Sequence, residues 1–323
     1  MTMTADKPVT AGTAIPSAPR RRPNGRLENN TGGRTLISAA DLGRPRGRVT
    51  YFTVLTIFII VFTLTFLFPL YWMFTGGLKS APELLQSPPT VYPHHFHFSN
   101  YLTAWNEFQI GHYFLNTVYY AVGGWLLQLI IDVSAAYALS KLRPLFGNYL
   151  LGAMLASLML PATALIVPTY ITVVHLPIFG WNLLNTPWAL WLPAAASAFN
   201  IWVLKRFFDQ IPTELLDSAS IDGAGRLRIL WNIVLPLSRP VLAVISIFSI
   251  IASWKDFLWP MLVMQDPNKQ TLSVAIARLN INGRVPADIV IAALVIAAVP
   301  MLAIFAVFQK HILNGLGAGA LKG

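Results

Sequence analysis

The sequence predicts an all-α polytopic membrane protein with six transmembrane helices and one cytoplasmic helix–glycine–helix loop. The chain is 55% hydrophobic and only 11% charged, whereas soluble domains carry about 25% charged residues. It also contains six apolar segments, each near the ~20 residues that cross a bilayer. The third observation is the polar interval Ile211–Pro240, which separates two of these segments and has the pattern of two short helices.

The first fifty residues differ in composition from the rest of the chain. Residues 1–50 are rich in Pro, Gly, Ser, Thr and Arg and lack apolar periodicity, which predicts a disordered basic cytoplasmic tail. A targeting signal is the alternative, but neither an apolar segment nor a cleavage site follows the arginines closely. Residues 51–323 are predicted to form one six-helix transmembrane domain, with the loop at 207–240. Because the chain has no cysteine, disulfides and thiolate sites are excluded.

The apolar runs give the predicted spans, and the basic residues give their orientation. The spans are Phe52–Phe74, Phe114–Leu139, Tyr149–Val174, Pro187–Leu204, Val241–Met264 and Ile289–Phe308. Cytoplasmic loops carry an excess of Lys and Arg. If the N-terminus is cytoplasmic, only Lys79, Lys269, Arg278 and Arg284 fall in outer loops, and Lys255 lies within a span. Both termini and the polar loop are therefore expected in the cytoplasm.

The polar loop is predicted to form two helices separated by a glycine. Pro212 suits the first turn of a helix, where its missing N–H costs nothing, and acidic Glu214 and Asp217 are favoured near a helix N-terminus. Gly223 can take the backbone conformation that ends a helix. A second helix is predicted over Ala224–Leu235. Its apolar stripe should consist of Leu227, Leu230, Trp231 and Val234.

The spacing in this loop resembles the EAA motif of ABC-importer permeases, E-A-A-x3-G-x9-I-x-L-P. The matching positions are Asp217-Ser218-Ala219, Gly223, Ile233, Leu235 and Pro236. Every gap agrees, although Asp217 stands where Glu is usual and Ser218 where Ala is usual. Other segments are similar to sugar-importer permeases at Asn100-Tyr101, Asn116-Thr117, Ala135–Gly147, Leu160–Ile171 and the C-terminal tail. From about Phe52 to Gly323 the chain resembles the carbohydrate ABC importer inner-membrane permease subunits of the binding-protein-dependent transport system family.

The resemblance implies a bacterial cytoplasmic-membrane protein that is not an enzyme and that translocates a sugar or oligosaccharide using ATP hydrolysed by a partner. The implied partners are a second homologous permease, an ATP-binding cassette ATPase dimer, an extracytoplasmic solute-binding protein, the carbohydrate substrate and membrane lipid, without nucleic acid. No cofactor is expected on this chain, which lacks a phosphate-binding loop, and ATP and magnesium are assigned to the ATPase. Coupling to the ATPase is implied for Glu214, Leu216, Asp217, Ala219, Asp222 and Gly223.

Polar and aromatic residues inside the predicted spans are the candidates for a substrate path, because lipid solvates charges poorly. They are Asp132, Tyr170, Asn200, Trp254, Lys255 and Asp256. The stretch Trp254–Pro260 resembles the S-W-N-D-F-L-W-P segment of carbohydrate permeases, with Lys255 in place of Asn. An aromatic ring beside a polar group is also how proteins bind sugars. Asp132 can instead be a structural partner for a nearby polar group, and Trp254 and Trp259 can instead be interfacial anchors.

Three further features leave alternatives open. His94, His95 and His97 offer imidazole ligands to a metal, but no nearby carboxylate completes such a site, and an interfacial aromatic segment explains them equally well. Pro161 and Pro168 predict a bent third span, either beside a substrate path or as a packing kink. The alternative function is a secondary carrier driven by an ion gradient, with Asp132 and the Lys255/Asp256 pair as its ion site. Such a carrier has no need of the long helical loop.

Overall fold

The computed structural model describes residues 45–281 and 285–320, and this part of the chain is helical without strands. Most of the predicted tail, residues 1–44, lies outside the described residues. Residues 45–50 are helical rather than disordered, because the first helix already begins at Pro45.

The helices, in chain order, are α1 (Pro45–Gly76), α2 (Ala81–Leu84), α3 (Ser99–Asn106), α4 (Ile110–Tyr137), α5 (Gly147–Ser157), α6 (Ala162–Val174), α7 (Pro187–Trp191), α8 (Ala198–Asp209), α9 (Thr213–Ile221), α10 (Arg226–Ile229), α11 (Leu235–Leu237), α12 (Arg239–Lys255), α13 (Leu258–Val263), α14 (Leu272–Ile281) and α15 (Ala287–Ala320). Two π-helical turns, Ala138–Leu142 and Leu230–Val234, follow α4 and α10. A short 3₁₀ turn covers Pro267–Lys269.

The chain divides after Leu64 into two units. Within the first unit, the described residues are the amino-terminal part of α1, residues 45–64. Its apolar side chains are exposed, among them Phe58, Ile59 and Leu64. Exposed apolar residues around a long helix are typical of a segment that lies in lipid. The second unit contains all the described residues from Thr65 onward.

The central helix of the second unit is α4, which packs against α7, α8, α12 and α14. One apolar cluster joins Ala136 of α4 to Phe208 of α8 and to Val234 in the second π turn. Another surrounds Ile110 at the start of α4, and a third surrounds Tyr120. Burying an apolar side chain of this size contributes about 1.5–3 kcal/mol, so these clusters fix the positions of the helices around α4.

Three helical segments are long and apolar enough to cross a membrane by themselves. They are Pro45–Gly76, Ile110–Leu142 and Ala287–Gln309, and they correspond to the first, second and sixth predicted spans. Two bent pairs pass the same test when each is taken together. The first pair is α5 with α6, bent by 108°, and the second is Arg226–Leu237 with α12, bent by 82°. The exact count of six spans is therefore not confirmed.

Three predicted spans are interrupted, and a bend was predicted only for the third, from Pro161 and Pro168; the 108° bend confirms it. The third breaks between α5 and α6, and Pro161 stands at the N-cap of α6, where its missing N–H does no harm. Pro168, by contrast, lies inside α6. The fourth breaks between α7 and α8 around Pro193, and Ser197 caps α8 by accepting a hydrogen bond from the Asn200 N–H. The fifth breaks at Asp256, whose backbone is extended.

Candidate functional site

The interval Ile211–Pro240, called the hairpin from here on, begins with the predicted helix and glycine. The helix is α9, and Pro212 stands at its N-cap, one position earlier than predicted. Gly223 follows the helix with φ +81°, a conformation that costs glycine little and other residues more. The helix and its end at Gly223 therefore agree with the sequence prediction.

The second arm of the hairpin departs from the predicted helix over Ala224–Leu235. It consists of α10, the π turn Leu230–Val234 and α11. A π turn follows i→i+5 hydrogen bonding, so the residues in it face other directions than in an α-helix. Leu230 and Val234 are buried, but Leu227 and Trp231 are 72% and 68% exposed. The predicted stripe is therefore wrong for Leu227 and Trp231.

The first helix of the hairpin has an apolar inner face and an acidic outer face. Leu216 and Ala219 pack against the buried cluster that contains Phe208 and Val234. The other residues with an implied coupling role, Glu214, Asp217, Asp222 and Gly223, are exposed. Ala219 therefore contacts the chain's own core, whereas the acidic residues are free to meet a second protein.

Hydrogen bonds from the last residue of α4 and from the π turn that continues it hold the hairpin in place. Lys141 Nζ donates to the Ile211 carbonyl at 3.0 Å, and Tyr137 Oη donates to the Arg226 carbonyl at 3.0 Å. The carbonyls belong to the beginnings of the two arms. Each arm is therefore attached to the same long helix, and a displacement of the hairpin would be transmitted to α4.

A further contact fixes the end of α8, immediately before the hairpin. The Asp209 carboxylate accepts hydrogen bonds from Ser140 Oγ at 2.7 Å and from Lys205 Nζ at 2.8 Å. Burial raises the pKa of this carboxyl, but the bonds from Lys205 and Ser140 outweigh burial and hold the pKa below its ordinary value. The carboxylate therefore stays ionised at neutral pH and keeps both partners.

A cavity of about 480 Å³ lies in the second unit among α4, α7, α8, α12 and α13. Clefts between packed helices are common ligand sites. Its aromatic lining residues are Tyr120, Trp125, Trp191, Phe248 and Trp259. Its polar lining residues are Thr117, Gln128, Ser197, Asn200, Ser249, Ser253, Asp256 and Thr271. Flat rings beside hydroxyl, amide and carboxylate groups make the cavity suited to a polyhydroxylated ligand.

Two of the six candidate substrate-path residues, Asn200 and Asp256, line this cavity. Asp132 is fully buried behind the wall. Its carboxyl accepts hydrogen bonds from the Ser197 N–H at 2.9 Å and from Asn200 Nδ2 at 3.1 Å. The geometry thus gives Asp132 the structural role that the sequence left open, because it positions two residues of the cavity wall.

The other three candidates lie away from the cavity lining. Trp254 is buried, donates from Nε1 to the Ala297 carbonyl at 3.1 Å and packs edge-on against Phe114. Tyr170 packs beside the cluster around Tyr120, and Lys255 is exposed. The tryptophan of this segment that does line the cavity is Trp259, because the chain turns at Asp256 and begins a new helix.

The indole N–H groups of the cavity tryptophans have different partners. Trp191 Nε1 donates to the Tyr120 carbonyl and Trp259 Nε1 to the Ala189 carbonyl, each at 2.9 Å. These bonds fix both rings. Trp125 Nε1 is buried without an acceptor among the described residues. The cavity wall therefore contains two fixed rings and one unsatisfied donor.

Several lining residues were missed from the sequence, although their spacing gives a signal. Trp125 and Gln128 are three apart on α4, and Ser249 and Ser253 are four apart on α12. Residues at these spacings share one helix face. A polar pair on one face of an otherwise apolar helix indicates a surface that does not meet lipid, and a search for such pairs would have found this cavity.

Alanine at Gly123 is expected to destabilise the cavity wall. A Cβ there would lie 2.7 Å from Cε2 of Trp191, and the hydrogen bond from Trp191 to Tyr120 prevents the ring from retreating. Overpacking of this kind lowers the free energy of unfolding by about 1–3 kcal/mol. Unfolding of the detergent-solubilised protein by heat or denaturant measures the change.

Gly152→Ala is the matched control for this substitution. Gly152 also lies inside a helix, but a Cβ there would meet no atom within 4 Å. Alanine at this position should leave stability unchanged or raise it by up to ~1 kcal/mol. Equal effects of the two substitutions would contradict the close approach of Trp191 to α4.

One histidine of the predicted outer loop contacts a carboxylate that the sequence did not predict to be nearby. His94 Nδ1 lies 3.0 Å from Glu83 Oε1, and the His94 backbone N–H donates to the same oxygen. Burial raises the pKa of the Glu83 carboxyl, but hydrogen bonds from His94 and Thr90 lower it below its ordinary value. Even so, in residues 45–281 and 285–320 no three side chains of His, Cys, Asp or Glu are grouped as metal ligands would be.

Residues 129–316 match the model of one protein family, the binding-protein-dependent transport system inner membrane component. The match covers more than half of the chain and includes most of the cavity lining and the whole hairpin. The chain belongs to this family. It is a permease subunit of an ABC importer and not an enzyme, and its apolar helices are those of an inner-membrane protein.

Similar proteins carry permease names and align over most of their length. The chain is 32% identical over 268 residues to the diacetylchitobiose uptake system permease protein NgcG of Streptomyces coelicolor, covering 82% of this chain and 87% of the relative. It is 32% identical over 259 residues to the sulfoquinovosyl glycerol transport system permease protein SmoH of Agrobacterium fabrum, covering 80% and 89%. It is 30% identical over 268 residues to the sn-glycerol-3-phosphate transport system permease protein UgpE of Yersinia pestis, covering 80% and 94%.

Solved structures show the same architecture. A chain of a bacterial ABC transporter involved in the import of the acidic polysaccharide alginate superposes with a TM-score of 0.73 at 25% identity, covering 85% of this chain and 99% of the other. A chain of a bacterial alginate ABC transporter, in complex with an alginate pentasaccharide-bound periplasmic protein, gives a TM-score of 0.59 at 18% identity, covering 84% and 97%. The second likeness concerns the fold alone. Both agree with the helical arrangement around α4.

Proposed function

We propose that this permease moves a sugar or oligosaccharide across the cytoplasmic membrane, driven by ATP that a separate subunit hydrolyses. The observation that carries the proposal is the hairpin. Its helix α9 exposes an acidic face, while its inner face packs on the helices that form the cavity. The acidic surface proposed to contact the ATPase is thereby connected to the cavity proposed to bind the ligand.

Two helices supply the connection between the hairpin and the cavity. On α8, Asn200 lines the cavity and Phe208 packs under the hairpin. These residues are eight positions apart, which is about 12 Å along a helix. On α4, Gln128 lines the cavity, and Tyr137 bonds the second arm of the hairpin. A rotation of the hairpin is therefore expected to move two walls of the cavity together.

In the proposed mechanism, α9 occupies a cleft of the ATPase, and Glu214 and Asp217 contact basic groups there. Closure of the ATPase pair on ATP would draw the hairpin with it, and α4 and α8 would rock around the cavity. Such switching requires that the two ATPase states bind the hairpin with different free energies. ATP and magnesium are proposed to bind to the ATPase, with no cofactor on this chain.

The proposed partners are a second permease, the ATPase dimer and an extracytoplasmic solute-binding protein. One structural neighbour is described in complex with a sugar-bound periplasmic protein, and this supports the last of these for the present chain. A carbohydrate substrate is supported by the names of the relatives, one of which refers to diacetylchitobiose, and by the ring-lined cavity. Aromatic surfaces beside hydrogen-bonding groups suit sugars.

Reconstitution in liposomes tests this function. The chain should co-purify with an ATPase and a second permease, and the complex should hydrolyse ATP faster when its sugar-loaded binding protein is added. Uptake should require ATP and persist when proton and sodium gradients are dissipated. Uptake by the isolated chain on an ion gradient alone would instead support the secondary carrier. The ion site of that carrier would include Lys255 and Asp256, which form no ion pair with each other in the described structure.

We also propose that the hairpin and both termini face the cytoplasm, on the basis of the basic residues noted above. The chain has no cysteine, so single cysteines can be introduced without background. A membrane-impermeant maleimide should label Tyr92→Cys in intact cells, and Ser220→Cys on the hairpin only after permeabilisation. Both positions are exposed. The opposite labelling pattern would overturn the proposed orientation.

A further inference from the structure

The charge of the cavity lining distinguishes it from the rest of this basic protein. The chain has a formal net charge of +10, but the described residues that line the cavity include no Lys, Arg or His. Asp256 is their one charged member. Its carboxyl group lies near the backbone N–H groups of Phe257 and Trp259, and no cation among the described residues forms an ion pair with it.

A second carboxyl group stands directly behind the same wall. Asp132 is fully buried and contacts Ser197 and Asn200, which both line the cavity. The neighbouring cation, Lys255, is exposed and is absent from the lining. A ligand in the cavity therefore meets the carboxyl group of Asp256, with the carboxyl group of Asp132 behind the wall and no basic side chain in the lining. An anionic ligand would be repelled at a site from which water is partly removed.

The remaining lining groups suit an uncharged ligand surface. The fixed rings of Trp191 and Trp259 offer apolar faces for stacking, and Trp125 holds an N–H donor without an acceptor. The hydroxyl groups of a sugar can donate to Asp256, and an ammonium group can pair with it. Carboxylate, sulfonate and phosphate groups on a sugar have no matching cation in this lining.

We propose that this cavity accepts carbohydrates without anionic groups, that is neutral sugars and amino sugars, and excludes acidic ones. The proposal rests on the function proposed above and names the substrate class for the same site. The proposed substrate class differs in charge from the acidic compounds to which the names or descriptions of some similar proteins refer, including glycerol 3-phosphate and alginate. Similarity of sequence and fold therefore does not fix the charge class of the substrate.

Three disaccharides with the same β-1,4-linked backbone test the proposal. They are cellobiose, which is neutral, chitobiose, which is cationic when its amines are protonated, and cellobiouronic acid, which is anionic. Binding to the assembled permease–ATPase complex in nanodiscs is measured by titration calorimetry and tryptophan fluorescence. Cellobiose and chitobiose should bind, and cellobiouronic acid should bind at least about tenfold more weakly than cellobiose, because unpaired like charges repel strongly when partly desolvated.

Variants of Asp256 show whether the preference arises in the cavity. Chitobiose should bind more tightly than cellobiose, because its ammonium groups can pair with Asp256. Asp256→Asn should remove this difference, and Asp256→Lys should favour cellobiouronic acid. Glu107→Gln removes a carboxylate from an exposed position outside the cavity and should leave the order of affinities unchanged. Equal binding of the acidic and neutral disaccharides, or binding of none of the three, would overturn the proposal. Because ATP hydrolysis stimulated by the binding protein is measured in the same preparation, failure of charge selection is distinguishable from failure of the importer function.

Discussion

Replacing Glu214 with lysine is expected to abolish ATP-driven uptake while the chain still enters the membrane. Glu214 lies in the first turn of α9 and is exposed, so the substitution leaves the apolar clusters intact. A lysine there would face the basic groups proposed for the ATPase cleft, and breaking a charge pair in an interface costs about 2–5 kcal/mol. Uptake by reconstituted complexes should fall below about a tenth of the wild-type rate, because this loss weakens docking more than tenfold.

Two further variants isolate the effect of charge on this face. Glu214→Gln keeps the shape and removes the charge, so it should give an intermediate rate. Asn232→Lys adds a positive charge to the exposed second arm of the hairpin and should retain most of the uptake. The amount of ATPase that co-purifies with an affinity-tagged form of each variant should decline in the same order as uptake. Normal uptake by Glu214→Lys would refute the role of the acidic face.

Asp132→Ala is expected to destabilise the protein strongly, although Asp132 does not line the cavity. Its carboxyl is fully buried and accepts hydrogen bonds from Ser197 and Asn200. Alanine would leave two donors without partners, each at about 1–3 kcal/mol. The free energy of unfolding should therefore fall by about 2–6 kcal/mol, measured by denaturant titration in detergent, and sugar binding should weaken because Asn200 loses its support.

Asp132→Asn is the conservative comparison. The amide oxygen can still accept from the Ser197 N–H, and the Asn200 amide can rotate to accept from the new NH₂ group. Its loss of stability should therefore be no more than about half that of Asp132→Ala. If the alanine variant were as stable as the wild type, the proposed support of the cavity wall by Asp132 would be wrong.

The part of the hairpin governed by local rules was predictable from the sequence. Pro212, Glu214 and Gly223 specify the start, first turn and end of α9 through backbone and dipole effects that need no knowledge of the rest of the chain. The second arm was not predictable in the same way. Its π turn places Leu230 and Val234 in the buried cluster, and that packing overrides the ordinary helical periodicity that predicted Leu227 and Trp231 on the same face.

The cavity shows the same division between composition and packing. Apolar runs predicted the three long helices that could each cross a membrane, but not that the chain would break near Pro193 and at Asp256. The break at Asp256 separates two tryptophans of one motif-like segment, so that Trp254 packs in the core and Trp259 lines the cavity. An apolar side chain can be buried either in lipid or in the protein interior, and the sequence pattern does not distinguish the two. Only the tertiary contacts show which of them applies.

The attachment of both hairpin arms to α4 bears on how the transporter is assembled. Because Lys141 and Tyr137 already hold the arms, the surface proposed to bind the ATPase is held in place before docking, and little conformational entropy would remain to be lost. The transporter could then assemble in stages, in which the permease folds in the membrane first and the ATPase binds afterwards. A preformed docking helix would also allow one ATPase to serve several permeases that present the same acidic helix.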